Sequence, residues 1–328
     1  MKIAVVSDVH DPVDAALARS GHDITVDEVG EDVGESVARF TCRWRTDPPD
    51  VVHARGTAAG VAALVASRES GLVVVQSFGG VEVGRSGDAE RTRAERLVGR
   101  EAAHVLAVSV DQRLALLGLG VRRSNISVVP AAVDTDVFHP DGPAAPRGAG
   151  SRLVAVGEPL PERGFQDVVA VLRSLPDTEL VVAAAPGGPC ARRLAAHADV
   201  CGVADRVRFD GRTALPALLR SADVVVCPAR GEADPTVALR AMACGVPVVA
   251  TAVGVLPETV VDGVTGRLAA PRDTAALARA LRAVLSEHGL RQAFGMAAFD
   301  RVHARYAVGQ IAVEVEKLFE GLVPSRAV

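Results

Sequence analysis

Aromatic residues are scarce: 3% of 328 residues, with one tryptophan, Trp44, and one tyrosine, Tyr306. So few rings exclude a base-stacking surface for single-stranded nucleic acid and an aromatic platform for carbohydrate. Lysine is nearly missing too. Lys2 and Lys317 stand beside a set of cations that is otherwise arginine, which reads as genomic composition bias. The net charge of −4 argues against a broad nucleic-acid surface, so no nucleic-acid partner is expected. No apolar run approaches the ~20 residues of a membrane span. The opening run Ile3–Val6 stops at Ser7-Asp8, too short for the apolar core of a signal peptide. A cytoplasmic protein without a transmembrane segment is therefore expected. The five cysteines, Cys42, Cys190, Cys201, Cys227 and Cys244, are odd in number and form no Cys-x-x-Cys pair. That spacing excludes a zinc site or disulfide framework and suggests free thiols in a reducing compartment.

What is present is a chain 49% hydrophobic and 23% charged, the composition of a globular protein with a full core. Its length suits two domains of ~100–200 residues. Short runs rich in valine and isoleucine alternate with longer alanine, leucine and arginine segments. This alternation predicts βαβ units and parallel sheets. Strands are expected at Lys2–Val6, Asp23–Val26, Val51–His53, Leu72–Gln76, Val105–Val108 and Ile126–Val129. The stretch Asp141–Gly150, made of proline, glycine and alanine, breaks the pattern and reads as an interdomain linker. The alternation then resumes, with strands at Leu153–Val156, Leu180–Ala184, Val207–Phe209, Val224–Cys227 and Val246–Ala250. Helices are expected at Thr236–Cys244 and Thr274–Ser286, and then at about Leu290–Ala304 and Val308–Leu322.

Several segments, in order, resemble retaining glycosyltransferases of family 4. Val156-Gly157-Glu158-Pro-Leu-Pro-Glu-Arg163-Gly164 is similar to the family's "VGR-x-x-x-x-KG" segment, and Val207-Arg-Phe-Asp-Gly211 to its "V-x-F-x-G" strand. Ser221-Ala-Asp-Val-Val-Val-Cys-Pro228 and Ala241-Met-Ala-Cys-Gly-Val-Pro-Val-Val-Ala250 match two further motifs. Pro257-Glu258 and Asp262-Gly-Val-Thr-Gly266 match another. In the first half, Asp50-Val-Val-His53-Ala and Val128-Val-Pro-Ala-Ala-Val-Asp134 resemble "DVVHAH" and "VVPNGVD". The resemblance covers essentially the whole chain.

It implies an α/β chain with the GT-B fold, two Rossmann-like domains facing each other across a deep interdomain cleft. Residues 1–145 would form the acceptor-side domain and 146–304 the donor domain. A C-terminal helix over about 305–328 would pack back on the first domain. The implied reaction moves a sugar, with retention, from a nucleotide-diphosphate sugar to a small-molecule acceptor. It is a hexosyltransferase-type reaction without a metal and without a cofactor beyond that co-substrate. By the resemblance, Glu232, His53 and His10 are the catalytic candidates. Gly157, Glu158, Arg163, Gly211, Arg212, Asp234, Thr236, Val237 and Arg240 line the donor side. Gly79 and Gly80 lie on the acceptor side. Thr236 and Val237 would offer N–H groups at a helix N-terminus, as an anion site does.

The sequence departs from the family at definite places. The arginine expected for the diphosphate is Glu158. The second glutamate of the E-x7-E motif begun by Glu232, which binds ribose in the family, is Arg240. The family's phenylalanine-glycine pair is Asp234-Pro235, and proline has no N–H to offer a donor oxygen. Its acceptor-side histidine is Gly79. Asp8–Ser20 contains no glycine where the family carries a glycine-rich phosphate loop. Two readings follow. One is a working transferase. The other is a catalytically weak or inactive homologue acting as a partner or regulatory protein; both readings are compatible with a homo- or hetero-oligomer. The reversed charges at Glu158 and Arg240 further suggest that these side chains pair across the donor pocket.

Overall fold

The computed structural model describes residues 1–9, 11–78, 88–231 and 233–323. The chain divides into two compact units, Met1–Ala132 with Val308–Val328, and Val133–Ala307.

The first unit runs β1 (Lys2–Val6), α1 (Pro12–Arg19), β2 (Asp23–Asp27), α2 (Val33–Thr46), β3 (Val51–Arg55), α3 (Thr57–Ser67), β4 (Val73–Ser77), α4 (Ala89–Glu101), β5 (His104–Ala107), α5 (Val110–Gly118) and β6 (Ile126–Val128). All neighbouring strands are parallel, in the order β2-β1-β3-β4-β5-β6. Strands that are apolar without alternation are buried on both faces. Ile3 and Val5 join one core layer with Val13 and Leu17. Ala4 and Val6 join the opposite layer with Phe40 and Trp44. Helix starts are fixed by short acceptors: Asp11 takes the Val13 N–H, Asp32 those of Gly34 and Glu35, and Asp88 those of Glu90 and Arg91.

The second unit runs β7 (Ser151–Val156), α6 (Phe165–Leu172), β8 (Thr178–Ala183), α7 (Pro189–Cys201), β9 (Val207–Phe209), α8 (Leu215–Arg220), β10 (Val224–Cys227), α9 (Thr236–Ala243), β11 (Val248–Thr251), α10 (Leu256–Thr259), β12 (Gly266–Ala269), α11 (Thr274–Ser286) and α12 (His288–Arg305). Its strands are also parallel, in the order β12-β11-β10-β7-β8-β9. The strand β12 is not among those the sequence predicts. The last helix, α13 (Val308–Leu322), belongs to the first unit. Ile311, Val315 and Phe319, spaced by four, form its buried stripe, in one core layer with Val13 and Leu17 of α1.

The division between the units falls after Ala132, not within Asp141–Gly150. The reason is polar anchoring. Val133 bridges to Ala307 and donates its N–H to the Tyr306 carbonyl at 2.9 Å. Arg220 donates to the carbonyls of His139 and Pro143, Ala145 donates to the Ala217 carbonyl, and Arg152 reaches the Pro146 carbonyl. Composition marks this stretch as irregular, but its carbonyls are acceptors that α8 and the start of β7 satisfy.

In each sheet the strand order reverses once. The first unit reverses between β1 and β3, the second between β7 and β10. Open parallel sheets bind ligands at the strand carboxyl ends beside such a reversal.

Candidate functional site

In the second unit the loops after β7 and β10 meet at the reversal. Gly157 leaves β7 with φ of +105° and donates its N–H to the Ala183 carbonyl at 3.1 Å. After a single tight turn, Pro161–Arg163, the chain passes Gly164 at φ of +71°. A Cβ on Gly164 would overlap the Pro228 carbonyl oxygen, so only glycine lets the two loops close to this distance. The Arg230 N–H donates to the Glu162 carbonyl at 2.8 Å, and the Arg230 guanidinium grips Asp167 through two bonds of 2.6 and 2.9 Å. Thr251 donates its hydroxyl to the Ala229 carbonyl. Together these bonds fix the rim.

Arg163 is the cation on this rim. Its Nη1 lies 3.0 Å from where a Cβ on Gly157 would stand, so the guanidinium rests directly over the bare glycine backbone. Beneath it, burial and then the Asp234 carboxylate push the Cys227 thiol up to about 12, while Arg163 opposes the rise. That thiol is neutral at ordinary pH and is no nucleophile. At the end of β9, Asp210 accepts N–H groups from Arg212 and Thr213 and the Thr213 hydroxyl, and these bonds hold its carboxyl below the usual range. Gly211 follows, where a Cβ would press within 3.0 Å of the Ala185 amide nitrogen. Gly211 and Arg212 are exposed.

The remaining expected donor residues are arranged differently. Glu158 is exposed. Desolvation, and then the Glu158 carboxylate among the nearby charges, raise the Cys190 thiol in the first turn of α7. Arg240 stacks its guanidinium over the Phe138 ring, 5.1 Å from the centroid. No ion pair joins Glu158 to Arg240, so the pairing suggested by their reversed charges is not formed: Glu158 acts on Cys190 and Arg240 on Phe138. Asp234 accepts both the N–H and the hydroxyl of Thr236, at 2.9 and 2.5 Å. The Thr236 N–H is therefore engaged by a protein carboxylate, unlike the open donor expected for an anion. Val237 lies one residue further along α9, half-buried. Glu232 lies outside the described residues.

In the first unit His10, Gly79 and Gly80 also lie outside the described residues. His53, on β3, stands in the core. Its Nε2 is 2.8 Å from the Ser77 hydroxyl, and its ring packs edge to face on Phe319. Burial, then the nearby Arg55 charge, hold its pKa well below the usual value, so the imidazole is neutral. Sequence reasoning passed over its neighbour. Arg55, the last residue of β3, makes two bonds of 2.6 Å to the two carboxylate oxygens of Asp14 on α1. Asp11 lies 3.6 Å away. Burial alone would lower the Arg55 pKa, but the Asp14 hydrogen bonds and both carboxylates raise it. The signal was an acid among the buried helix positions Val13, Ala16 and Leu17, facing an arginine that closes a buried strand.

Among the described residues, no group of three metal-ligating side chains is gathered, and no helix is long and apolar enough to cross a membrane.

Two successive doubly wound parallel units, each with one strand-order reversal, define the GT-B architecture. Residues 147–301 match the family model described as glycosyl transferases group 1, and residues 15–132 match the glycosyl transferase 4-like domain. The chain belongs to the GT-B glycosyltransferases. It is 38% identical over 194 residues to the D-inositol 3-phosphate glycosyltransferases of Mycobacterium tuberculosis (strain ATCC 25618 / H37Rv) and Mycobacterium bovis (strain ATCC BAA-935 / AF2122/97). That match covers 54% of this chain and 40% of those proteins, so the chain spans less than half the length of these curated relatives. In fold it is similar to a sucrose-phosphate synthase from Thermosynechococcus elongatus, with a TM-score of 0.87, 21% identity, and 98% and 99% of the two chains covered. It is likewise similar to HepE of Anabaena solved in complex with UDP, with a TM-score of 0.84, 18% identity, and 98% and 100% covered.

Proposed function

We propose that this chain transfers a sugar from a nucleotide-diphosphate sugar to a small-molecule acceptor, with retention and without a metal. The second unit takes the donor and the first unit the acceptor. The observation that carries the reading is Arg163 resting over Gly157 at the β7–β10 reversal. A departing diphosphate needs a fixed cation and a backbone it can approach closely, and this rim offers both. Gly211 provides a second bare backbone at the end of β9, two strands from β7. HepE, solved with UDP and with UDP-glucose, gives the donor class to test first.

Within this reading Arg163 binds the diphosphate oxygens and stabilises the charge that develops as the sugar leaves. Arg230, locked to Asp167, holds the rim in place without touching the donor. Calorimetric titration of the full chain with UDP, ADP, GDP and their glucose conjugates tests the assignment. One nucleotide should bind in the micromolar range, and Arg163→Ala should weaken it by about 10–100-fold. Millimolar or absent binding throughout would sink the transferase reading. Activity retained in excess chelator tests metal independence, and the anomer of the product tests retention.

A second reading keeps the fold but not the activity: a partner or regulatory protein. Glu158 favours it, because a carboxylate on the diphosphate rim repels the donor phosphates. Co-purification with an active transferase, together with absent nucleotide binding, is its signature.

A further inference from the structure

We propose that Asp14 sets acceptor specificity, by filling from within the protein the Arg55 fork that a phosphorylated acceptor would otherwise occupy. The first unit then receives an acceptor that presents hydroxyl groups and carries no phosphate. This inference rests on the transferase reading, because it concerns the acceptor side of that reaction.

Arg55 ends β3, next to the β1–β3 reversal where a parallel sheet receives its ligand. A guanidinium there has the planar fork that matches a phosphate or carboxylate. Both arms of the fork are spent on Asp14 at 2.6 Å. Asp14 is 4% exposed and lies on the apolar side of α1. A buried carboxylate keeps its charge only when paired, so Asp14 and Arg55 lock each other in place. The other anion device of such a unit, the N-terminus of the helix after β1, is also occupied, since Asp11 takes the Val13 N–H at 2.9 Å. A second carboxylate, that of Asp11, lies 3.6 Å from the Arg55 guanidinium. An incoming phosphate meets no open donor fork and the like charges of Asp14 and Asp11. A hydroxyl group meets carboxylate oxygens able to accept from it.

The experiment uses inorganic phosphate as the probe, with the full chain in an Arg163→Ala background to silence the second unit's rim. Calorimetry on the protein that retains Asp14 should show no submillimolar phosphate binding. Asp14→Asn should open the fork and tighten phosphate binding by about tenfold or more. Adding Arg55→Gln to Asp14→Asn should abolish that gain and so place the phosphate at Arg55. Asp14→Ser is the second opening variant should Asp14→Asn not fold. Submillimolar phosphate bound at Arg55 while Asp14 is intact overturns the proposal. So does a folded opening variant that gains nothing. Neither arm requires a donor nucleotide. Failure of the transferase reading would appear as absent nucleotide binding in the unmodified chain, and is thereby distinguished.

Discussion

The imidazole of His53 on β3 and the ring of Phe319 on α13 meet edge to face, with centroids 5.6 Å apart and planes at 70°. Both side chains are buried, Phe319 completely. This contact ties the final helix of the chain to a central strand of the first sheet. Phe319→Ala should destabilise the first unit by about 3–5 kcal/mol, through lost burial and the cavity left behind. Urea unfolding measures it. A loss below about 1 kcal/mol would mean that α13 is only loosely held.

The same histidine makes stability depend on pH. In the folded chain its pKa lies well below the ordinary value, first by burial and then by the Arg55 charge. The unfolded chain binds a proton near pH 6.5 and the folded chain does not, so stability is full above about 6.5 and falls as pH drops below it. One such group contributes a slope of up to about 1.4 kcal/mol per pH unit. His104, also lowered by burial, adds a slope of the same sign. His53→Gln should therefore flatten the decline between pH 7 and 5 without removing it. An unchanged slope would show that His53 titrates normally in the fold.

Gly164 is held at φ of +71° with the Pro228 carbonyl where a Cβ would stand. Gly164→Ala should cost about 1–3 kcal/mol from backbone strain, and more if Pro228 cannot yield. Because the strain falls on the rim that carries Arg163, nucleotide affinity should drop with stability. A variant of normal melting temperature and normal nucleotide affinity would contradict the close approach of the two loops.

Glu158 stands on the rim as an exposed carboxylate that, after desolvation, helps raise the Cys190 thiol, while Arg240 is stacked on Phe138. Glu158→Arg should tighten binding of a nucleotide diphosphate by about tenfold, since it replaces repulsion with a charge-assisted contact. A double-mutant cycle of Glu158→Ala and Arg240→Ala should be additive within about 0.3–0.5 kcal/mol, as expected for side chains without a shared partner. Coupling well above that range would restore the idea that they act as a pair.

The parallel sheets were legible because doubly buried strands such as Ile3–Val6 and Leu153–Ala155 leave unbroken apolar runs. The stripe of Ile311, Val315 and Phe319 likewise identified α13 and its buried face. The short strand β12, Gly-Arg-Leu-Ala, carries too little β-branched character to stand out, and only its neighbour β11 makes it a strand. The role of residues 133–150 was hidden for another reason. Their bonds go to Arg220, Ala217 and Arg152, partners set by the fold and not by local pattern. At the site, glycines with positive φ could be expected from motif position. The Arg55–Asp14 fork left only the trace of one acid and one arginine set among buried positions, and the approach of Cys190 to Glu158 left none, because contacts distant in sequence carry no periodic pattern.

The bridge between Val133 and Ala307 has a topological consequence. The two chain ends of the second unit lie side by side, so in sequence that unit is an insertion into the first. Excised as Val133–Ala307, it begins and ends at hydrogen-bonded neighbours and carries a complete sheet. The first unit, by contrast, cannot be obtained by simple truncation. Stopping at Ala132 strips the apolar cover from Ile3, Val5 and Leu17, whereas fusing Ala132 directly to Val308 keeps it.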